Sequence, residues 1–381
     1  MHYFAWPLLA ILAGSLVYCA LVLVAARRYL DVRLPDLAQP EPVSILKPLH
    51  GLDAGLEENL RTFFTQDYPE FEILFALRSP EDAAIPVIEK LRREFPQVPA
   101  RLLVTGEPPY PNAKVFCLQN MLQAARHDLL VMSDSDIRVT PSMLRTVAAE
   151  FQDGRAGVAT CPYRAVAGRS VWSRLEAAGM NTEFLGGVLV ARMLEGMKFA
   201  VGPTIVARKS VLQAIGGCDR LKDYLAEDFV LGKFAAERGF GVLLSSYVIE
   251  HRIGSEEWTR NAAHRLRWAR STRRSRPAGY LGSVFMNPIP IALLLCLAEP
   301  SWWPVLIGAV AVRSAAAFVV SVDVLSARVP WLLLFLQDLL SFLFWVAGFF
   351  GNTIAWRGRR YYLMPDGKFR LIPGDGSVEK S

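Results

Sequence analysis

Two aspartates, Asp134 and Asp136, follow directly on an apolar run at residues 129–132 and are separated by Ser135. Short apolar runs set among helical patterns are typical of buried parallel strands, and open α/β sheets bind ligands beyond the carboxyl ends of their strands. Carboxylates at that edge suit a divalent cation, because Mg²⁺ prefers one or two carboxylates together with substrate phosphates. The pair alone is equally compatible with a solvated acidic turn.

Further charged side chains follow other predicted elements. Asp82 comes after a predicted strand at 71–77, and Glu227 with Asp228 opens a predicted helix. Acidic residues in a first helical turn are ordinarily partners of the helix dipole, so the second pair does not define a site by itself.

An arginine-rich stretch with interleaved tryptophans begins at residue 258. It contains Arg260, Arg265, Arg267, Arg270, Arg273, Arg274 and Arg276, with Trp258 and Trp268. This composition is compatible with a nucleic-acid surface or with a diphosphate-binding helix beside a membrane. Apolar segments follow at once, which favours the second interpretation.

The elements that must position these residues alternate along the chain. Predicted strands at 43–48, 71–77, 101–105 and the run at 129–132 are separated by predicted helices at 53–65, 83–95 and 113–126. This alternation predicts a doubly wound, mostly parallel α/β sheet. No G-x-G-x-x-G follows the first strand and no P-loop occurs, which disfavours a dinucleotide site or a P-loop nucleotide site.

Composition separates a charged middle from apolar ends. Hydrophobic residues make up 52% of the 381 residues, charged residues 20%, and the mean hydropathy is +0.25. The net charge of +6 suits a membrane surface, a phosphorylated substrate or nucleic acid. No C-x-x-C occurs among the five scattered cysteines, which argues against a disulfide framework or a zinc site and fits a reducing compartment.

The apolar ends predict an integral membrane protein. Residues 4–26 are uncharged and precede Arg27 and Arg28, which predicts a spanning helix with its carboxyl end in the cytoplasm. A signal peptide is disfavoured because the charges follow the apolar run. We expect the middle domain to be cytoplasmic, at the inner membrane of a bacterium.

Apolar segments recur at 284–298, 302–322 and 331–355, and a basic tail follows from 356. A cytoplasmic tail requires an even number of crossings after the domain. Pro288 and Pro290 interrupt the first segment, so we expect it to be interfacial and the other two to span, with three spans as the alternative. The apolar stretch 186–206 carries Arg192, Glu195 and Lys198, and we interpret it as packed inside the domain or lying on the membrane.

The order of these residues resembles a known family. From about residue 43 to 268 the chain is similar to membrane-bound inverting glycosyltransferases of the ceramide glucosyltransferase type and to bacterial relatives that glycosylate hopanoids. The shared features are Asp82, the D-x-D at 134–136, the acidic pair at 227–228, H-R-L-R-W at 264–268, ILKPLHG at 45–51, ENL at 58–60, DYP at 67–69, PNAK at 111–114, Gly202 and RK at 208–209. His264 stands where the family has Gln or Arg.

The resemblance implies a GT-A-like fold and a division of the chain into five parts. These are an N-terminal transmembrane helix (1–28), a linker (29–42), a cytoplasmic glycosyltransferase domain (43–280), membrane segments (281–355) and a cytoplasmic basic tail (356–381).

The resemblance also implies residue roles. Asp228 is the expected catalytic base, and Asp136 with Asp134 is expected to hold Mg²⁺ or Mn²⁺. Expected donor contacts are Asp82, Lys114, Asp134, Arg267 and Trp268; acceptor or supporting residues are Glu227, Gly202 and His264. The implied donor is a nucleotide sugar, UDP-glucose or UDP-GlcNAc, and the implied acceptor is a hydroxyl of a membrane lipid.

Several functions stay open at this point. The first is transfer of one hexose, glucose foremost, to a lipid such as ceramide, and the second is transfer to a hopanoid polyol. A processive polysaccharide synthase is disfavoured by His264 and by the few spans. A membrane-anchored nucleic-acid-binding protein would not need acidic residues at strand ends, and we expect no nucleic-acid partner.

Overall fold

The computed structural model describes residues 5–152, 154–356 and 359–372, and the chain divides into two units. The sheet unit comprises Val32–Tyr163 and Glu195–Gly254; the helical unit comprises the described residues of Met1–Asp31, Arg164–Leu194 and Ser255–Ser381. The start of the predicted first span (residues 1–4) and much of the predicted basic tail (357, 358 and 373–381) lie outside the described residues.

The sheet unit alternates strands and helices as predicted. Its strands are β1 (Val43–Pro48), β2 (Phe71–Leu77), β3 (Ala100–Val104), β4 (Leu129–Ser133), β5 (Ile137–Arg138), β6 (Ala156–Thr160), β8 (Thr204–Arg208), β9 (Gly241–Leu244) and β10 (Ile249–Gly254), while β7 (Tyr163–Ala167) begins at the boundary between the units. Its helices are α2 (Leu56–Phe64), α3 (Ile85–Glu94), α4 (Ala113–Ala124), α5 (Met143–Ala149), α8 (Lys209–Ala214) and α9 (Glu227–Glu237).

Seven strands form one sheet in the order β3-β2-β1-β4-β8-β6-β9. The strands β1 to β4 are parallel. All five residues of β4 are buried, as expected for a parallel strand that is covered on both faces. Only β8 runs antiparallel to its neighbours β4 and β6. The predicted fold class, a mostly parallel α/β sheet, is confirmed.

The stretch 186–206 was predicted to be one amphipathic segment, and this prediction is wrong because the stretch contains most of a helix and the start of a strand. The helix α7 (Leu185–Glu195) ends at Gly196, whose φ of +74° suits a glycine, and the chain then enters β8. Both parts contain buried side chains, Val188 and Leu189 of α7 within the helical unit and Val206 of β8 within the sheet unit.

The helical unit contains the remaining elements. They are α1 (Ala5–Leu30), α6 (Val171–Gly179), a π-helical turn (Met180–Phe184), α7, α10 (Trp258–Ser275), α11 (Pro277–Gly282), α12 (Pro288–Ala298), α13 (Trp303–Phe318), α14 (Trp331–Ala347), β11 (Thr353–Trp356), β12 (Arg359–Leu363) and β13 (Phe369–Leu371). The last three strands form an antiparallel sheet. The strands β12 and β13 lie in the predicted basic tail, whereas β11 begins within the apolar segment 331–355, so the end of that segment is a strand and not part of a spanning helix.

Two helices in the described residues, Ala5–Leu30 and Pro300–Val324, are long and apolar enough to cross a membrane. The segments Pro277–Met286 and Pro288–Ala298 meet at an angle of 64°, as the prolines in this region would favour. The helix α14 has 17 residues, so only one of the two expected full C-terminal spans has that length.

In the sheet unit, Gly232 of α9 lies close to the backbone of Phe199 and Ala200, and this contact can be tested. A Cβ at Gly232 would lie 2.3 Å from Ala200 N and 2.4 Å from Phe199 C, and these are backbone atoms that cannot rotate away. We expect Gly232→Ala to destabilise the protein by about 1–3 kcal/mol, measured by thermal unfolding in detergent.

Gly308→Ala is the matched control, because Gly308 is also helical and a Cβ there meets nothing within 4 Å. The control should be neutral or stabilising by up to about 1 kcal/mol. Equal unfolding temperatures for both variants would contradict the close approach of α9 and residues 199–200.

Candidate active site

A lysine joins two carboxylates that come from separate elements of the sheet unit. Lys114 Nζ lies 2.7 Å from Asp134 Oδ1, just beyond β4, and 3.2 Å from Glu227 Oε1, in the first turn of α9. Burial of the ammonium opposes its charge, but the carboxylates of Asp134 and Glu227 outweigh that cost and raise the pKa of Lys114. The lysine therefore stays charged and holds the end of β4 against the start of α9.

Asn112 fixes the position of Lys114. Its Oδ1 accepts from Val115 N at 3.2 Å and so caps the start of α4, where Lys114 is the second residue. Its Nδ2 donates to Tyr224 O at 2.9 Å and to Glu227 Oε2 at 3.3 Å. The same side chain thus orients both the lysine and its glutamate partner.

The expected base, Asp228, follows Glu227 at the start of α9. Gly202 lies against it, because a Cβ on Gly202 would come within 2.7 Å of Asp228 Oδ2. Removal of the carboxyl from water, together with the neighbouring Glu227 charge, raises the pKa of Asp228 to about 7. A carboxyl with this pKa can accept a proton near neutral pH and hold it, which suits a general base.

The second aspartate of the D-x-D pair meets a histidine. Asp136 Oδ2 lies 3.0 Å from His251 Nε2, which β10 presents beside β5. Burial opposes ionisation of Asp136, but the charge and hydrogen bond of His251 outweigh it and keep the pKa of the carboxyl below its usual value. Asp136 Oδ1 is buried and has no hydrogen-bond partner within the described ranges.

The donor set around the D-x-D pair fits a divalent cation that is shared with a phosphate ligand. The described residues contain no group of three His, Cys, Asp or Glu side chains that could hold a metal alone. Mg²⁺ nevertheless needs only one or two carboxylates when phosphates complete its coordination. The ionised Asp136, with a buried oxygen left to coordinate, and the partly exposed Asp134 meet that requirement.

A fully buried lysine supports the loop that carries the pair. Lys47 is 0% exposed at the end of β1, and its Nζ donates to the backbone oxygen of Asp134 and, at 3.4 Å, to Ser133 Oγ. The Nζ also lies 3.9 Å from the centre of the Phe63 ring. Burial lowers the pKa of Lys47 to about 7, although the nearby aspartates act in the opposite direction.

Asp82 is held mainly by backbone groups. Its Oδ1 accepts from Gly51 N at 3.0 Å and from Ala84 N at 2.9 Å, and its Oδ2 accepts from Gly51 N at 3.1 Å. Asp82 therefore stabilises the backbone at Gly51. The donor contact that the resemblance implies for Asp82 stays a prediction.

The motif at 264–268 lies on α10 of the helical unit. His264 Nδ1 lies 2.7 Å from Glu176 Oε1, and Asn261 Nδ2 binds the other oxygen of that buried carboxylate. The Trp268 ring lies 5.1 Å from the His264 ring and 6.0 Å from the Phe184 ring, between centres. Arg267 and Trp268 are both partly buried.

Several basic side chains are engaged in structural contacts. Arg270 donates to Phe350 O at 3.0 Å, and Arg273 Nη2 donates to Gly351 O at 2.8 Å, so both bind the segment that follows α14. Arg274 binds Asn352 Oδ1 in the same segment. These contacts remove much of the case for a nucleic-acid surface on α10.

Arg208 lies near the start of β4, whereas Asp134 follows the end of that strand. It is paired in the β8–β4 register with Leu129, at the start of β4, and its Nη1 lies 2.8 Å from Glu41 Oε2. Arg208 is therefore not part of this site, whereas Lys114 is. Lys47, Asn112 and His251 also belong to the site. Lys47 and Asn112 lie in the ILKPLHG and PNAK motifs, but no role was predicted for any of the three.

Comparisons with known proteins agree with this fold. The model of glycosyl transferase family 21 matches residues 7–369. A ceramide glucosyltransferase of Caenorhabditis elegans is 33% identical over 254 residues, which are 65% of this chain and 54% of that protein. A ceramide glucosyltransferase of Komagataella phaffii is 34% identical over 177 residues, 43% of this chain and 35% of its own length.

A solved mannosyltransferase from Pyrobaculum calidifontis, bound to GDP-Man and Mn²⁺, is similar in structure. It is 18% identical, with a TM-score of 0.51 over 89% of this chain and 97% of that chain. This likeness shows a GT-A-like fold.

The sheet unit thus has the architecture of a glycosyltransferase domain. The chain belongs to glycosyl transferase family 21. It spans about half the length of the Caenorhabditis relative that it matches.

The raised pKa of Asp228 predicts the pH dependence of any reaction in which it acts as a base. The rate should rise with pH through about 7 and level off above it, because the base must be ionised. Glu227→Gln removes a like charge, so the acidic limb of kcat/KM should move to lower pH.

Glu237→Gln, at the other end of α9, is the matched control and should leave the limb in place. A limb that stays fixed in Glu227→Gln, or that is missing in the native protein, would contradict the role of Asp228 as the titrating base.

Proposed function

We propose that this protein is an inverting glycosyltransferase that moves one hexose, glucose foremost, from a UDP-sugar to a hydroxyl of a membrane lipid such as ceramide. The observation that carries the proposal is the position of the partly buried Asp228 next to Glu227, whose carboxylate meets Lys114 together with that of Asp134. Burial raises the pKa of Asp228 to about 7, as a base that acts near neutral pH requires. The names of the two relatives favour ceramide as acceptor and glucose as sugar. A hopanoid polyol with a UDP-GlcNAc donor is the alternative lipid substrate.

The carboxylates at the end of β4 explain how an anionic leaving group could be accommodated. Asp136, with Asp134, would hold Mg²⁺ or Mn²⁺, and such an ion neutralises charge that develops on a diphosphate. Lys114 adds a fixed ammonium beside Asp134 and offsets the repulsion that the carboxylates would otherwise exert on the donor. His251 orients Asp136 through its 3.0 Å contact.

Asp228 completes the reaction in one displacement. It accepts the proton of the acceptor hydroxyl while the acceptor oxygen forms a bond to the anomeric carbon. The bond from that carbon to the diphosphate oxygen breaks, and the electron pair leaves with UDP. One attack from the face opposite the leaving group inverts the anomeric configuration, in contrast to the two successive displacements of retaining glycosidases.

Asp228→Asn tests the base directly, because it keeps the shape of the side chain and removes the proton-accepting charge. We expect kcat to fall by about 10²–10⁴-fold while UDP-sugar affinity changes little. The assay uses purified full-length protein with radiolabelled UDP-glucose or UDP-GlcNAc, and ceramide or a hopanoid polyol in mixed micelles.

Near-native transfer by Asp228→Asn would refute the assignment of the base. Loss of UDP-sugar binding in a folded variant would instead move Asp228 to the donor site and leave Glu227 as the base. No transfer by the native protein to any hydroxyl lipid in the panel would refute the proposed function.

The metal role of Asp136 has its own test. Chelation with EDTA should abolish transfer and Mn²⁺ or Mg²⁺ should restore it, whereas Asp136→Asn should raise the Mn²⁺ concentration needed for half-maximal rate. Asp67→Asn is the control, since the Asp67 side chain is 72% exposed and its carboxylate binds the half-exposed Arg145 at the protein surface. Full transfer by Asp136→Ala in metal-free buffer would rule the metal role out.

A further inference from the structure

The break in a bent helix pair of the helical unit places an amide among buried groups. Asn287 lies between the segments Pro277–Met286 and Pro288–Ala298 and is 2% exposed. Its Nδ2 donates to Glu183 Oε1 at 3.4 Å. Its Oδ1 is buried and finds no hydrogen-bond partner in the described part of the chain. An unpaired buried oxygen is costly, so native proteins rarely keep one without a reason.

A second such group comes from α1. The hydroxyl of Tyr18 is buried and also lacks a hydrogen-bond partner among the residues described. A Cβ on Gly187 would lie 3.5 Å from this hydroxyl and 2.2 Å from Met286 Cε, so Tyr18 packs beside the residue that precedes Asn287. Glu183 is about one helical turn before Gly187, and its carboxylate interacts electrostatically with Tyr18.

A neighbouring polar set in the same unit is complete. Arg313 Nε and Nη2 each lie 2.8 Å from an oxygen of Asp338, and Nη2 also donates to Thr182 Oγ1 at 3.0 Å. Both charged side chains are buried, and each one satisfies the other. The Arg313 set is therefore fully paired, whereas Asn287 Oδ1 and the Tyr18 hydroxyl have no hydrogen-bond partner in the described part of the chain.

We propose that Tyr18, Glu183 and Asn287 bind the neutral polar head of the lipid acceptor. Hydroxyl or amide N–H groups of the lipid donate to Glu183 and to Asn287 Oδ1, and the Tyr18 hydroxyl binds an oxygen of the head. This inference rests on the proposed function, since it specifies the acceptor of that reaction.

The chemistry of the three side chains selects the class of lipid. An amide oxygen is an acceptor only, so Asn287 Oδ1 requires a donor from the ligand. A phosphorylated lipid presents acceptor oxygens in place of N–H or uncharged hydroxyl donors, so its phosphate does not satisfy Asn287 Oδ1. The site therefore favours lipids with uncharged hydroxyl or amide groups over lipid phosphates.

The test measures binding of the lipid without any donor sugar. Full-length protein in nanodiscs is titrated with tritiated N-hexanoylsphingosine, and with a polyprenyl phosphate as the anionic comparison. Tyr18→Phe removes one hydroxyl and should weaken N-hexanoylsphingosine binding about fivefold, and Glu183→Gln should weaken it about tenfold or more. Tyr29→Phe, on the same helix, is the matched control and should bind as the native protein does.

Unchanged N-hexanoylsphingosine affinity in Tyr18→Phe and Glu183→Gln would overturn this proposal, as would tighter binding of the polyprenyl phosphate. Tyr18→Phe keeps the ring packing, so the test does not depend on Glu183→Gln folding. A protein that binds the lipid through Tyr18 but transfers no sugar would support the site and refute only the proposed function. Sugar transfer with unchanged acceptor affinity in the variants would refute only the site.

Discussion

The ammonium of Lys114 stands between the carboxylates of Asp134 and Glu227, and the arrangement of this sheet edge depends on that bridge. Two unit charges 4 Å apart interact by about 4 kcal/mol at an effective dielectric constant near 20. Carboxylates gathered at one edge would therefore repel each other strongly without an intervening cation. Asn112 strengthens the bridge because it binds Glu227 and caps the helix that carries Lys114.

The antiparallel strand β8 explains how residues distant in sequence reach the same edge. It begins beside the end of β4, where Pro203 O accepts from Asp134 N at 3.0 Å. The preceding residue, Gly202, lies against the Asp228 carboxylate, where a larger side chain would displace it. The residues just before β8 therefore contact both Asp134 of the D-x-D pair and Asp228, the expected base.

The sequence was sufficient to predict the strands that carry the strongest local signal. Residues 43–48 and 71–77 form β1 and β2 with the predicted bounds, because parallel strands buried on both faces are continuous apolar runs. The helix that Glu227 opens was also predicted, and it carries Asp228 as expected. These features are local, so periodicity and composition suffice for them.

Long-range features could not be predicted in the same way. The direction of β8 and the division of 186–206 depend on which strand is available to pair, and neither leaves a periodic pattern. Lys47 looks like an ordinary strand-end charge in sequence, yet it is buried under Asp134. The arginines of α10 resemble an anion-binding surface, yet Arg270 and Arg273 bind backbone carbonyls after α14.

We propose that one carboxylate base acts in a single displacement at the end of β4. The decisive measurement is the anomeric configuration of the purified glycolipid, formed from an α-linked UDP-hexose and determined by proton NMR. We expect a β-linked product, because attack from the face opposite UDP inverts the anomeric carbon. An α-linked product would require a second nucleophile or attack from the same face, and would exclude a single inverting displacement.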